Sequence, residues 1–79
     1  MSKNTESEID IGFAICKKLN EYGTSIAWLA RQVQCDRGNL HRQLQKPQID
    51  TELLAKISIA LKTDFFNLYS QYVKSKIDV

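Results

Sequence analysis

The densest cationic chemistry in this 79-residue chain lies between residues 31 and 46, where Arg31, Arg37, Arg42 and Lys46 accompany a single acid, Asp36. That stretch carries +3, residues 1 to 10 carry −2 and residues 11 to 30 carry +1, so the modest overall charge of +2 hides a local surplus. A guanidinium donates hydrogen bonds in a planar fork that fits phosphate oxygens, or the O6 and N7 atoms of guanine. Interleaved with the two central arginines are Gly38, Asn39 and His41, and Gln45 follows. Asn can pair with an adenine edge, Gln and Lys can hold phosphate oxygens, and Gly lets backbones approach closely. A solvated helix face with surplus arginine has the same composition, so charge alone leaves both uses open.

Other chemistries find no support. His41 is the single histidine, and no nucleophile or acid stands at a useful spacing from it. There is no Gly-rich phosphate loop and no G-x-S-x-G turn, so neither an enzyme nor a cofactor is expected. Cys16 and Cys35 allow one disulfide at most and match no zinc-ligand spacing. Two buried or half-buried thiols in a reducing compartment are expected, and no metal. No apolar run approaches the roughly 20 residues of a membrane span. A cytoplasmic protein without membrane contact is the expectation.

The chain suits one domain, since single cores usually take about 50 to 200 residues. Residues 1–8 are polar and predict a flexible N-terminal tail, with Thr5 or Ser7 available to cap a first helix running to about Tyr22. Ile11, Ile15, Leu19 and Tyr22, with Ile9 and Cys16 beside them, recur at helical steps, and Gly23 ends the segment. Ser25 caps a second helix on which Ile26, Leu29, Ala30 and Val33 share one face. After Gln34 and Cys35, Asp36 caps a third, Arg37 to about Gln45, with Leu40 and Leu44 inward; Lys46-Pro47 stops it. Asp50 opens a fourth helix carrying Leu53, Leu54, Ile57, Ala60 and Leu61, and Asp64 opens a fifth with Phe65, Leu68, Tyr69 and Tyr72 on one face. The predicted architecture is all-α, five short helices over residues 9–73, followed by a polar C-terminal tail over 74–79.

Two short helices across a tight turn, the second polar on its outer side, can place a helix in the DNA major groove. With Leu40 and Leu44 inward, 100° per residue turns Gly38, Asn39, Arg42 and Gln45 outward, flanked by Arg37 and His41. Trp28 is expected to pack along the second helix, and Lys17-Lys18 to be solvated.

The segments TSIAWLARQVQCDRGNLHRQL and PQIDTELLAKISIALKTDFFNL resemble the phage-repressor (Cro/C1, XRE-type) helix-turn-helix family, over roughly residues 9 to 70. The resemblance rests on Ser25 followed by Leu29-Ala30, the capped helix with Leu40 inside, and Ala60-Leu61 running into Asp64-Phe65. It implies a lambda-repressor-like five-helix bundle that binds double-stranded DNA as a small transcriptional regulator. By position it implies base-reading roles for Arg37, Gly38, His41 and Arg42, to which the outward face adds Asn39, and backbone-clamping roles for Ser25, Gln45 and Lys46. The chain departs from the family at three places: Gln34 stands where a turn glycine is usual, Gln43 where an apolar residue is common, and Ile26 where a phosphate-clamping Gln often begins the second helix.

The fifth helix carries more apolar surface than so small a core needs. Phe66, Tyr69, Tyr72 and Val73 are therefore expected to form a homodimer interface, with Ile59 as a candidate addition; otherwise the rings wrap back over the first helix. No small-molecule ligand is expected, because residues 1–8 and 74–79 are too short and polar to sense one. Two rival functions remain: an antitoxin-like module that binds a toxin protein and its own operator, and a helical protein-interaction domain whose Arg37 to Lys46 face meets an acidic partner.

Overall fold

The computed structural model describes residues 9–77, and within them every regular element is helical. The helices are α1 (Ile11–Glu21), α2 (Ile26–Gln32), α3 (Arg37–Leu44), α4 (Thr51–Leu61) and α5 (Phe66–Ile77). The predicted all-helical, five-helix architecture is what the chain adopts. Among the described residues, no helix is long and apolar enough to cross a membrane.

Short polar side chains set the helix starts. Ser25 Oγ accepts from the Trp28 amide at 3.1 Å, Asp36 Oδ2 from Asn39 at 3.0 Å and Asp50 Oδ2 from Leu53 at 3.0 Å. Each such cap stabilises its helix by about 1 kcal/mol relative to Ala. Asp64 Oδ1 accepts from Phe66, the first residue of α5, at 3.0 Å. α1 starts later than predicted: its cap is Asp10, whose Oδ1 accepts from Phe13 at 3.0 Å, and Thr5 and Ser7 lie outside the described residues.

Three helices end in one geometry, a left-handed residue that lets the following amide reach back to a carbonyl five residues earlier. Gly23 does this for α1 (φ 68°), with Thr24 N bonded to Leu19 O at 3.0 Å. Gln34 does it for α2 (φ 57°), with Cys35 N bonded to Ala30 O at 2.8 Å. Lys62 does it for α4 (φ 51°), with Thr63 N bonded to Ser58 O at 3.0 Å. Gln34 therefore takes the conformation a turn glycine would supply, at a steric cost of about 1 to 2 kcal/mol.

The core joins Ile11, Ile15 and Leu19 of α1 to Leu29 and Ala30 of α2 and Leu40 and Leu44 of α3. Val33 from the turn, Leu54, Ile57 and Leu61 of α4, and Phe65 complete it. Phe65 plugs the core from the turn before α5 rather than from the helix itself, and no residue of α5 is fully buried. Leu68 and Tyr69 hold α5 to the core, half-buried. α5 also continues through Lys74 to Ile77, past the point where the polar tail is predicted to begin.

Two members of the predicted α1 stripe leave the core. Tyr22 is 53% exposed, because its place at the end of the helix lets the ring lie along the edge while its hydroxyl donates to the Leu61 carbonyl at 3.0 Å. Cys16 is exposed, since it falls a step of about 100° to the side of the face centred on Ile11, Ile15 and Leu19. Two helices approach closely at Gly12, which is buried: a Cβ there would overlap the Leu44 carbonyl oxygen. The α1 backbone thus lies directly on the C-terminal end of α3.

Candidate nucleic-acid interface

α3 is held from three sides. Asp36 caps its start, Leu40 and Leu44 sink into the core, and Gly12 of α1 meets its last carbonyl. Gln43 is only half-buried, and Leu44 does the packing, as predicted. The short connection from α2 is locked by the left-handed Gln34 and the Cys35 to Ala30 hydrogen bond. A helix fixed this way presents its outer side chains at a set angle.

On that outer side Arg37, Gly38, His41 and Arg42 are exposed, as are Gln45 and Lys46 just past the helix end. Neither Arg37 nor Arg42 has a carboxylate partner among the described residues, where the ion pair found is Lys18 to Glu21 at 3.2 Å. The two guanidiniums therefore keep their donors for an external acceptor. Gln45 Nε2 lies 3.4 Å from His41 Nε2, which ties these two side chains into one row along the helix. Gly38 sits between Arg42 and the Asp36 cap: a Cβ on it would come 3.2 Å from Asp36 Oδ2 and 3.8 Å from Arg42 Nη1.

Asn39 is the predicted base reader that the structure does not bring to this face. It is half-buried on the opposite flank, and its Nδ2 donates to Cys35 Sγ at 3.6 Å. There it lines an open polar groove with Gln43, Asp36, Asp50, Glu52 and Lys56, so carboxylates border the basic face on that side. Outward rotation by 100° per residue places Asn39 at the margin, and the sulfur acceptor one turn back draws it inward.

On the other flank, Ile26 at the start of α2 faces Arg37, Gly38 and His41 across a cleft of about 220 Å³. Ser25 is exposed beside it; its oxygen accepts the Trp28 amide, leaving the hydroxyl proton free to donate. The sequence singled out Ile26 only by its apolar side chain at the start of the second helix, and the fold sets that side chain against α3.

The expected dimer residues divide. Phe66 is 38% and Val73 51% exposed, and Ile77, assigned to the tail by sequence, joins them at 72% on the same side of α5. The helical spacing of Phe66, Val73 and Ile77 is the signal that finds it. Tyr72 instead lines a groove with Ile9, Phe13 and Ala14 against α1, and Tyr69 lines another with Pro47, Ile49 and Leu54, which Phe66 also borders. Burial pushes the Tyr69 phenol above its ordinary value. Ile59 is 77% exposed and borders a groove with Gln32 and Gln34 at the end of α2. Trp28 is half-buried against the core, and Lys18 lies over the Tyr22 ring at 5.9 Å.

Both cysteines are free thiols. Partial desolvation, and then the nearby Asp10 carboxylate, push the Cys16 thiol above its ordinary value. Among the described residues no group of His, Cys, Asp and Glu side chains could hold a metal ion. No protein-family model, curated protein or solved structure matches the chain.

Proposed function

We propose that this chain is a sequence-specific double-stranded DNA-binding protein of the phage-repressor type, acting as a small transcriptional regulator with α3 in the major groove. The observation that carries the proposal is the outer face of α3: Arg37 and Arg42 exposed and without an ion pair among the described residues, on a helix fixed by α1 and α2. Arg42 is central to the exposed row and reads a base edge; Arg37 and His41 reach from its side; Ser25, Gln45 and Lys46 hold phosphates. The acidic groove beyond Asn39 sets the limit of the contact, because carboxylates repel the duplex backbone.

One α3 spans only a few base pairs, so a two-fold dimer with half-sites about 34 Å apart supplies the remaining affinity. Phe66, Val73 and Ile77 on the free side of α5 form its contact, with the edges of Tyr69 and Tyr72 at the border.

Selection of bound fragments from random duplex DNA tests the function. A two-fold symmetric motif should emerge, bound at least about 10³-fold more tightly than scrambled DNA, with affinity falling steeply as salt rises. Recovery of no motif, together with salt-insensitive binding, rejects the proposal. A small protein that co-purifies while operator binding persists would favour the antitoxin-like alternative, and an acidic protein that masks α3 the protein-interaction alternative.

A further inference from the structure

We infer that the cleft between Ile26 and α3 receives the C5-methyl group of a thymine, making Ile26 a specificity-determining residue. This rests on the proposed docking of α3 in the major groove. The cleft is lined by Ile26, Arg37, Gly38 and His41 and lies on the flank of the exposed row, where base edges would pass. Its walls are unequal in kind: Ile26 contributes only hydrocarbon, Gly38 contributes no side chain, and Arg37 and His41 supply polar edges at the mouth. A phosphate or a water molecule gains no hydrogen bond from Ile26, so the hydrocarbon wall disfavours both. The surrounding charge still selects a nucleic acid, because Arg37 lines the cleft, Arg42 and Lys46 are exposed nearby in the chain, and none of the three has a carboxylate partner among the described residues.

Among the groups that B-DNA displays in its major groove, the thymine methyl is the one apolar protrusion. It alone satisfies a site with an isoleucine wall and polyanion-attracting surroundings. Arg37 or His41 at the mouth can donate to the thymine O4 or to the base beside it, which fixes the pyrimidine with its methyl edge toward Ile26. A polar residue at the start of α2 would hold a phosphate there; isoleucine exchanges that anchor for discrimination between bases.

The test replaces each thymine of the selected half-site in turn with uracil, which removes the methyl and keeps every hydrogen-bonding group. Binding is measured by fluorescence anisotropy at constant salt. One position per half-site should lose about fourfold in affinity, the worth of burying one methyl-sized group. The same exchange measured with Ile26→Ala should cost less than twofold, and with Ile26→Val an intermediate amount. Comparing thymine with uracil inside each variant cancels any general loss of folding or affinity. A half-site in which no thymine-to-uracil exchange changes affinity overturns the inference while leaving DNA recognition by α3 intact, as does a methyl effect that Ile26→Ala leaves unchanged. Failure to select any duplex overturns both.

Discussion

Arg42 on α3 and Lys46, just past the end of that helix, are both exposed, yet they are expected to do different work. A bidentate arginine contact to guanine is worth about 1 to 3 kcal/mol of discrimination. Arg42→Ala should therefore lower affinity for the selected duplex about 10- to 100-fold and leave binding to scrambled DNA nearly unchanged. Lys46→Ala should weaken binding to both duplexes alike and reduce the slope of log affinity against log salt by about one. Equal losses on both duplexes for Arg42→Ala would remove it from base reading. Away from the interface, Cys16 is an exposed residue whose thiol is held up by partial desolvation and by Asp10. Because the thiolate is the reactive form, its alkylation should rise only above the ordinary thiol range. Asp10→Asn, which keeps a capping side chain and removes the charge, should shift that rise to lower pH without restoring it fully. Iodoacetamide labelling followed at Cys16 by mass spectrometry checks this, and an unshifted profile contradicts the role of Asp10.

At the scale of the element, the strongest constraint on α3 is the absence of a side chain on α1. Gly12→Ala must displace the Leu44 carbonyl, and overpacking of this kind costs about 1 to 3 kcal/mol. Urea denaturation should show a loss in that range, while an unchanged midpoint would mean the two helices separate easily. The turn offers the opposite change. Gln34 pays a steric penalty at φ 57°, so Gln34→Gly should stabilise the chain by up to about 1 kcal/mol, raising the thermal midpoint by about 4 to 8 °C; a fall would contradict the left-handed turn. The helix starts at Ser25, Asp36, Asp50 and Asp64 were legible in the sequence, because a cap acts over two or three residues and carries its own chemistry. Lys62 was not, since nothing in a lysine announces a left-handed backbone, which here follows from turning the chain so that Phe65 can enter the core. The run Lys74-Ser75-Lys76 has the polarity of a tail, but lysine sits well in a helix, and α5 carries it to Ile77.

For the whole molecule, helical periodicity revealed the five-helix plan and the inward faces of α2 and α3, because each buried stripe repeats along its own helix. Contacts between helices were hidden: Gly12 against Leu44 and Ile26 across from Arg37 each join parts whose relation only the assembled fold supplies. The free side of α5 belongs to this scale as well. Val73→Glu places a charge on a position that is already 51% exposed and outside the core cluster, so it should leave the monomer folded, shift sedimentation to the monomer mass and weaken operator binding. A wild-type chain that already sediments as a monomer would remove the dimer. Recognition by α3 itself is tested most directly by amide chemical-shift mapping of the ¹⁵N-labelled protein as selected duplex is added. The largest changes are expected at Ser25, Ile26 and residues 36–46, with α4 little affected. A bound duplex that leaves Arg37, Gly38, His41 and Arg42 unmoved would contradict it.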